Sequence, residues 1–92
     1  MQKMRLSEVR ANGLFKEAES AGRETRIKIL TELVECPQFD KKWSDAQGKP
    51  LYSALCLQIA KDYGDLTNYH EAAEWEGKAK EFGERSLPRH LP

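Results

Sequence analysis

Long apolar runs are missing from this 92-residue chain; its uninterrupted apolar stretches are only a few residues long. A helix that crosses a bilayer needs about 20 consecutive apolar residues, so no membrane span is expected. The N-terminal segment turns charged before an apolar targeting core can form, which argues against a secretory signal. An excess of charge of one sign is also missing. Fifteen Lys plus Arg balance fifteen Asp plus Glu, and neither a nucleic acid nor an anionic membrane is an expected partner without a basic surplus or patch. Cysteine is scarce. Cys36 and Cys56 stand twenty positions apart without a paired spacing, whereas a disulfide-dependent domain of this size carries more. Both are read as reduced thiols of a cytoplasmic or nuclear protein. The two histidines, His70 and His90, share no ligand spacing with them, so no metal site is expected.

What the chain has instead is helical periodicity. Hydrophobic residues make up 39% and charged residues 33%, enough for one modest core in a single domain over 1–92. Residues 4–21 are expected to form a first helix with Leu6, Val9, Leu14, Phe15 and Ala18 on one face. Gly13 marks a local weakness there or a close helix contact. Gly22 is expected to close that helix in the left-handed conformation. Residues 23–36 form a second helix with a stripe of Ile27, Leu30, Leu33 and Val34, ended by Pro37. The short turn between them makes 4–36 an antiparallel hairpin.

Residues 37–50 form an irregular connector. Phe39 and Trp43 lie four apart, so a short helical turn would bring them together. They read as a lid folded over the core or as an anchor for a partner. Residues 51–64 form a third helix with Tyr52, Leu55, Cys56, Ile59, Ala60 and Tyr63 inward. A turn at 65–68 follows, with Asn68 and Glu71 at capping-box spacing. The fourth helix starts at Tyr69 and runs to about Glu84. Its stripe of Tyr69, Ala72, Trp75, Ala79 and Phe82 alternates small and large residues and suits close packing on a neighbouring helix. The two prolines of 86–92 make a helical tail unlikely to continue there, so 85–92 is expected to be non-helical. The fold class expected is therefore all-α, with two antiparallel helical hairpins at 4–36 and 51–84.

The second hairpin resembles a tetratricopeptide repeat (TPR). Over residues 53–86, Cys56 stands at the first bulky position of helix A, Ile59-Ala60 at the Leu-Gly pair and Tyr63 at the helix A aromatic. Tyr69, Ala72, Trp75 and Ala79 match helix B in type and spacing, and Phe82 takes the large aliphatic position. Departures are Ala60 for glycine, Cys56 for tryptophan and no proline at the repeat end. The ending is more similar to the longer repeats of the kinesin light chain and rapsyn type. Residues 6–37 match more weakly, through Gly13 and Pro37, with Asn12 and Thr25 out of pattern and an insertion at 38–50 separating the two units.

The resemblance implies a small four-helix domain or a piece of a TPR-like superhelix that acts as a non-catalytic interaction module or adaptor. Its partner would be a peptide or a helix of another protein, held on the helix A face. Carried onto this chain, that face holds Ala54, Leu57, Gln58 and Lys61, with Ser7, Arg10 and Leu14 from the first unit. The lysine and asparagine set of the chaperone-tail subfamily is not complete, so chaperone tails are not the expected ligand. Trp75 and Phe82 would normally be covered by a following repeat. With none in the sequence, they join Phe39 and Trp43 as interface candidates, and the alternative reading is a subunit that associates with further copies of itself. No catalytic residue set, phosphate-binding loop or cofactor motif appears, so an enzyme is not expected.

Overall fold

The computed structural model describes residues 6–86, with side chains as far as Gly83. Four α-helices follow one another: α1 (Glu8–Ala18), α2 (Arg23–Val34), α3 (Leu51–Asp65) and α4 (Tyr69–Ser86). The chain is all-α, a small four-helix domain. Each helix packs chiefly on its neighbour in sequence, α1 on α2, α2 on α3 and α3 on α4, and the last pair has the most extensive contact. One continuous core joins Ala11 and Ala18 of α1, Leu30, Leu33 and Val34 of α2, Leu51, Leu55, Cys56, Ile59 and Ala60 of α3, and Trp75 and Ala79 of α4.

The first helix departs from expectation at both ends. The Ser7 hydroxyl accepts the Arg10 N–H at 3.2 Å, so Ser7 is the N-cap and helical geometry starts at Glu8. At the other end, the amides of Glu19, Ser20 and Ala21 donate to carbonyls three residues back, at 3.0–3.3 Å. This tight last turn ends α1 without a left-handed residue. Gly22 is accordingly not a C′ glycine. It has φ −67 and ψ 162 and is the extended N-cap of α2. The inward face of α1 also differs. Ala11 and Ala18 are buried, Leu6, Leu14 and Phe15 pack partly on the core, and Val9 is 82% exposed. A β-carbon on Gly13 would meet nothing within 4 Å, so Gly13 makes no close helix contact and is a local weakness only.

The stripe of α2 is buried as its spacing predicts, with Ile27, Leu30, Leu33 and Val34 all inside. The α2–α3 interface contains the one buried charge among the described residues. Asp62 is completely buried, and Arg26 reaches it from α2 with Nε on Oδ2 at 2.7 Å and Nη2 on Oδ1 at 2.8 Å. Gln58 Nε2 donates to Oδ1 at 3.2 Å. The remaining Arg26 nitrogen, Nη1, donates to the carbonyls of Glu19 and Ala21, at 3.2 and 3.3 Å. One guanidinium thus binds α2 to α3 and also satisfies the open C-terminal end of α1. The nearby pair of Arg23 and Asp65, 3.1 Å apart, is solvent-exposed and adds little.

The connector is ordered by turns rather than by a helical segment. Asp40 Oδ1 accepts the Lys42 N–H at 2.8 Å. Asp45 Oδ1 accepts the N–H groups of Gln47 and Lys49, both at 2.9 Å. Gly48, at φ +81, completes that second turn. Short side chains that bond their own following backbone favour such turns over helix. The connector is held on α1 by a two-way clamp. The Asn12 side-chain amide donates to the Ser44 carbonyl at 3.0 Å, and the Ser44 N–H donates to Glu8 Oε2 at 2.8 Å.

The α3–α4 turn closes with a Schellman pattern, Asn68 N–H to Tyr63 O at 2.8 Å and Thr67 N–H to Gly64 O at 3.0 Å. This geometry puts Thr67 at φ +62, a position where glycine is the usual residue. A β-branched side chain there costs on the order of 1–2 kcal/mol. The fourth helix then continues to Ser86, two residues past Glu84, and the Pro-rich end of the chain lies outside the described residues.

Two stability predictions follow from these contacts. Asp62→Ala leaves Arg26 with an uncompensated, largely buried charge and is expected to lower unfolding stability by about 3 kcal/mol. The double variant Arg26→Met/Asp62→Leu is expected to lose less than that single change, and urea unfolding of the two compares them directly. Thr67→Gly removes the left-handed strain and should raise stability by about 1 kcal/mol; a lower melting temperature for this variant would contradict the strain argument.

Candidate functional surface

The six residues expected to share one groove are divided by the structure between two surfaces. Arg10 and Leu14 line a depression on α1 beside Ser7, Val9 and Gly13. Leu57 and Lys61 line a separate groove between α3 and α4. Ala54 and Gln58, on the same side of α3, are half-buried, and Gln58 is turned to Asp62. The separation has a physical cause in the connector. Glu8 and Asn12 of α1 hold Ser44, and the adjacent Trp43 carbonyl accepts the first amide of α3, Leu51 N–H, at 2.9 Å. Residues 37–50 therefore join α1 to the start of α3, where a continuous helix A face would need direct contact.

The interface candidates also redistribute. Phe39 and Trp43 fold over the core as a lid, with rings 5.2 Å apart in an edge-to-face arrangement. Phe39 continues to Tyr52 at 6.3 Å and Tyr52 to Phe82 at 5.0 Å. This aromatic row binds the connector, α3 and α4 to one another. Phe82 is therefore partly covered from within the chain. Trp75 is only 6% exposed, and Lys78 Nζ lies 4.1 Å from its ring centroid. The uncovered edge expected around Trp75 does not exist. Its own hairpin buries the indole in the core, and the lysine caps the remaining face.

Exposed apolar surface is found one step along the hairpin. Leu57 is 50% exposed and Tyr69 is 68% exposed, against the expectation that Tyr69 faces inward. Tyr69 opens α4 opposite Gly64, and a glycine there offers no side chain to cover the ring. The two residues flank a groove of about 430 Å³ whose floor is Ala60, Gly64 and Ala72. Lys61 borders it from α3 and Glu76 from α4. Neither has an ion-pair partner among the described residues. Sequence periodicity gave one signal for this surface: Leu57 falls outside the inward stripe of α3. Tyr69 carried no such signal, because its exposure depends on the glycine across the hairpin.

Other reactive side chains are held in structural roles. Cys56 is buried, and burial pushes its thiol up to about 11, although the Tyr52 hydroxyl donating toward the sulfur works in the opposite direction. Burial likewise pushes Tyr52 up to about 12, with Cys56 adding to the shift. His70 is exposed and lies 3.3 Å from Glu74 one turn along. Among the described residues, no three His, Cys, Asp or Glu side chains converge as a ligand set, and no helix is long and apolar enough to cross a membrane.

Cys56 and Tyr52 both ionise less readily in the folded chain than in the unfolded one. The stabilisation that this represents is intact below their ordinary values of 9.0 and 10.0 and disappears as pH rises to about 11 and about 12. Stability should therefore fall across that alkaline window, and Cys56→Ala/Tyr52→Phe should flatten the fall. At pH 8, alkylation should modify Cys36, which is partly exposed, well before Cys56, as peptide mapping would read. No protein-family model, curated protein or solved structure matches this chain.

Proposed function

We propose that this chain is a non-catalytic interaction module that docks a protein partner, a peptide or a helix, along the face formed by α3 and α4. The observation that carries the reading is the groove between those helices, with Leu57 and Tyr69 exposed beside a floor of small residues. Monomeric domains seldom leave large apolar side chains beside an unfilled apolar groove without a partner for them. A floor of Ala60, Gly64 and Ala72 lets a helix approach closely, and the flanking side chains supply contact area.

The resemblance to a TPR hairpin supports the same reading, since Ala60 and Ala79 are buried between α3 and α4 where that family keeps small residues. The proposed groove, however, lies between the two helices of one hairpin and not along a row of helix A faces. The connector clamped on α1 favours a four-helix domain over a regular tandem array. An adaptor or scaffold role in the cytoplasm or nucleus belongs to the same proposal. So does the absence of catalysis: Cys56 is buried as a high-pKa thiol and His70 sits on an outer face with Glu74.

The test is recovery of bound partners from cell extract by the tagged chain. Leu57→Asp/Lys61→Glu is expected to reduce recovery at least tenfold while leaving the helical circular dichroism unchanged, because both side chains are on the surface. Recovery equal to that of the unmodified chain would remove the α3–α4 face from consideration.

A further inference from the structure

We infer that the α3–α4 face is self-complementary and that its occupant is a second copy of this chain, related by a two-fold axis running along the groove. The inference rests on the docking reading above and names the partner. Its basis is the arrangement of knob, hole and charge on one face. Tyr69 and Gly64 border the groove at its turn end, and Leu57 and Glu76 border it further along the antiparallel hairpin. A two-fold axis parallel to the groove lays α3 of one copy over α4 of the other at the same level. Tyr69 then meets the groove of the second copy at Gly64, where no side chain opposes it. The exposed leucine of each copy lies over the opposite helix.

The charges obey the same symmetry. Lys61 belongs to α3 and Glu76 to α4, and the axis exchanges the two helices. Each lysine therefore approaches the glutamate of the second copy, and each glutamate approaches a lysine. Neither side chain has a competing ion-pair partner among the described residues. An isologous contact needs its own complement on one surface, and this face supplies both signs, both knobs and both holes. A partner of one charge sign would meet one matching and one opposing group.

The area sets the strength. The 15 residues of α3 give a helix of about 22 Å, and two helices 8–10 Å apart present a strip of about 400 Å². Two such strips bury about 800 Å², below the roughly 1,200 Å² of standard stable interfaces. The dimer is thus weak and exchanges rapidly.

Sedimentation velocity on the full chain from about 10 µM to about 1 mM spans the affinities such an area permits. The mass is expected to rise from 10.6 kDa toward twice that value with a midpoint inside the range. Tyr69→Lys and Lys61→Glu should each move the midpoint at least tenfold higher. The charge exchange Lys61→Glu/Glu76→Lys should return it to within about threefold of the original. A constant monomer mass throughout overturns the two-fold dimer and leaves the docking reading to its own recovery experiment. A dimer indifferent to Tyr69→Lys, or one that the charge exchange does not restore, places the contact elsewhere and overturns the inference as well.

Discussion

The pair of Arg26 and Asp62 is the contact on which the arrangement of the helices depends. A carboxylate with no solvent exposure is costly unless its lone pairs are used. Asp62 uses them on two guanidinium nitrogens and on the Gln58 amide. The geometry is bidentate, which fixes the direction of approach as well as the distance. Hydrophobic burial alone would let α2 slide along α3, because Ile, Leu and Val stripes tolerate shifts in register. A forked donor on a buried acceptor does not. The third donor of Arg26 extends that registration to α1, whose last carbonyls would otherwise face the α1–α2 turn unsatisfied. Burial raises the cost of every alternative register, and this is the sense in which a buried ion pair contributes specificity.

With the first three helices fixed, the connector determines which surfaces remain open. Its Asp-based turns need no partner to form, so they form a compact lid whose aromatic residues complete the core from outside. Its attachment to Glu8 and Asn12 covers part of α1 and links it to the start of α3. Had residues 37–50 been a tight turn, α1 and α3 would have had to pack side by side and a continuous concave face would have resulted. The insertion instead directs free surface toward the far side of the α3–α4 hairpin.

The sequence made some of this legible and concealed the rest for identifiable reasons. The second and third helices could be read because their inward residues are large and branched, so Leu30, Leu33, Leu55 and Ile59 stand out at helical spacing. The first helix was misread because its buried residues are alanines. Ala11 and Ala18 carry little hydrophobic signal, whereas Val9 carries a strong one and faces water. Asp62 offered no pattern at all, since a buried acid is indistinguishable in sequence from an exposed one without its arginine thirty-six positions earlier. The inference that Trp75 lacked cover treated the hairpin as a unit that only a neighbouring repeat could complete. The indole is instead enclosed by its own hairpin and Lys78. Tyr69 shows the opposite error, an inward assignment by periodicity that fails where the facing residue is Gly64.

These two misplacements have one origin, and it bears on the candidate surface. Periodicity specifies which side of a helix is apolar but not which part of that side the neighbour covers. Along α4 the coverage runs in one direction, from Tyr69 exposed, through Ala72 half-buried, to Trp75 and Ala79 buried. The facing residues of α3 decide this gradient, because Gly64 and Ala60 are small near the turn while Tyr52, Leu55 and Cys56 are large near the start of the helix. The α3–α4 contact is consequently full at one end and open at the other. Thr67 holds the open end in a left-handed turn that its own side chain disfavours. Strain of that kind persists only where the surrounding structure imposes it, and here it starts α4 with Tyr69 directed over an empty floor. The open groove is thus a consequence of side-chain size on α3 combined with an enforced turn, and it places the largest exposed ring of the described chain next to the position with the least side chain to meet it.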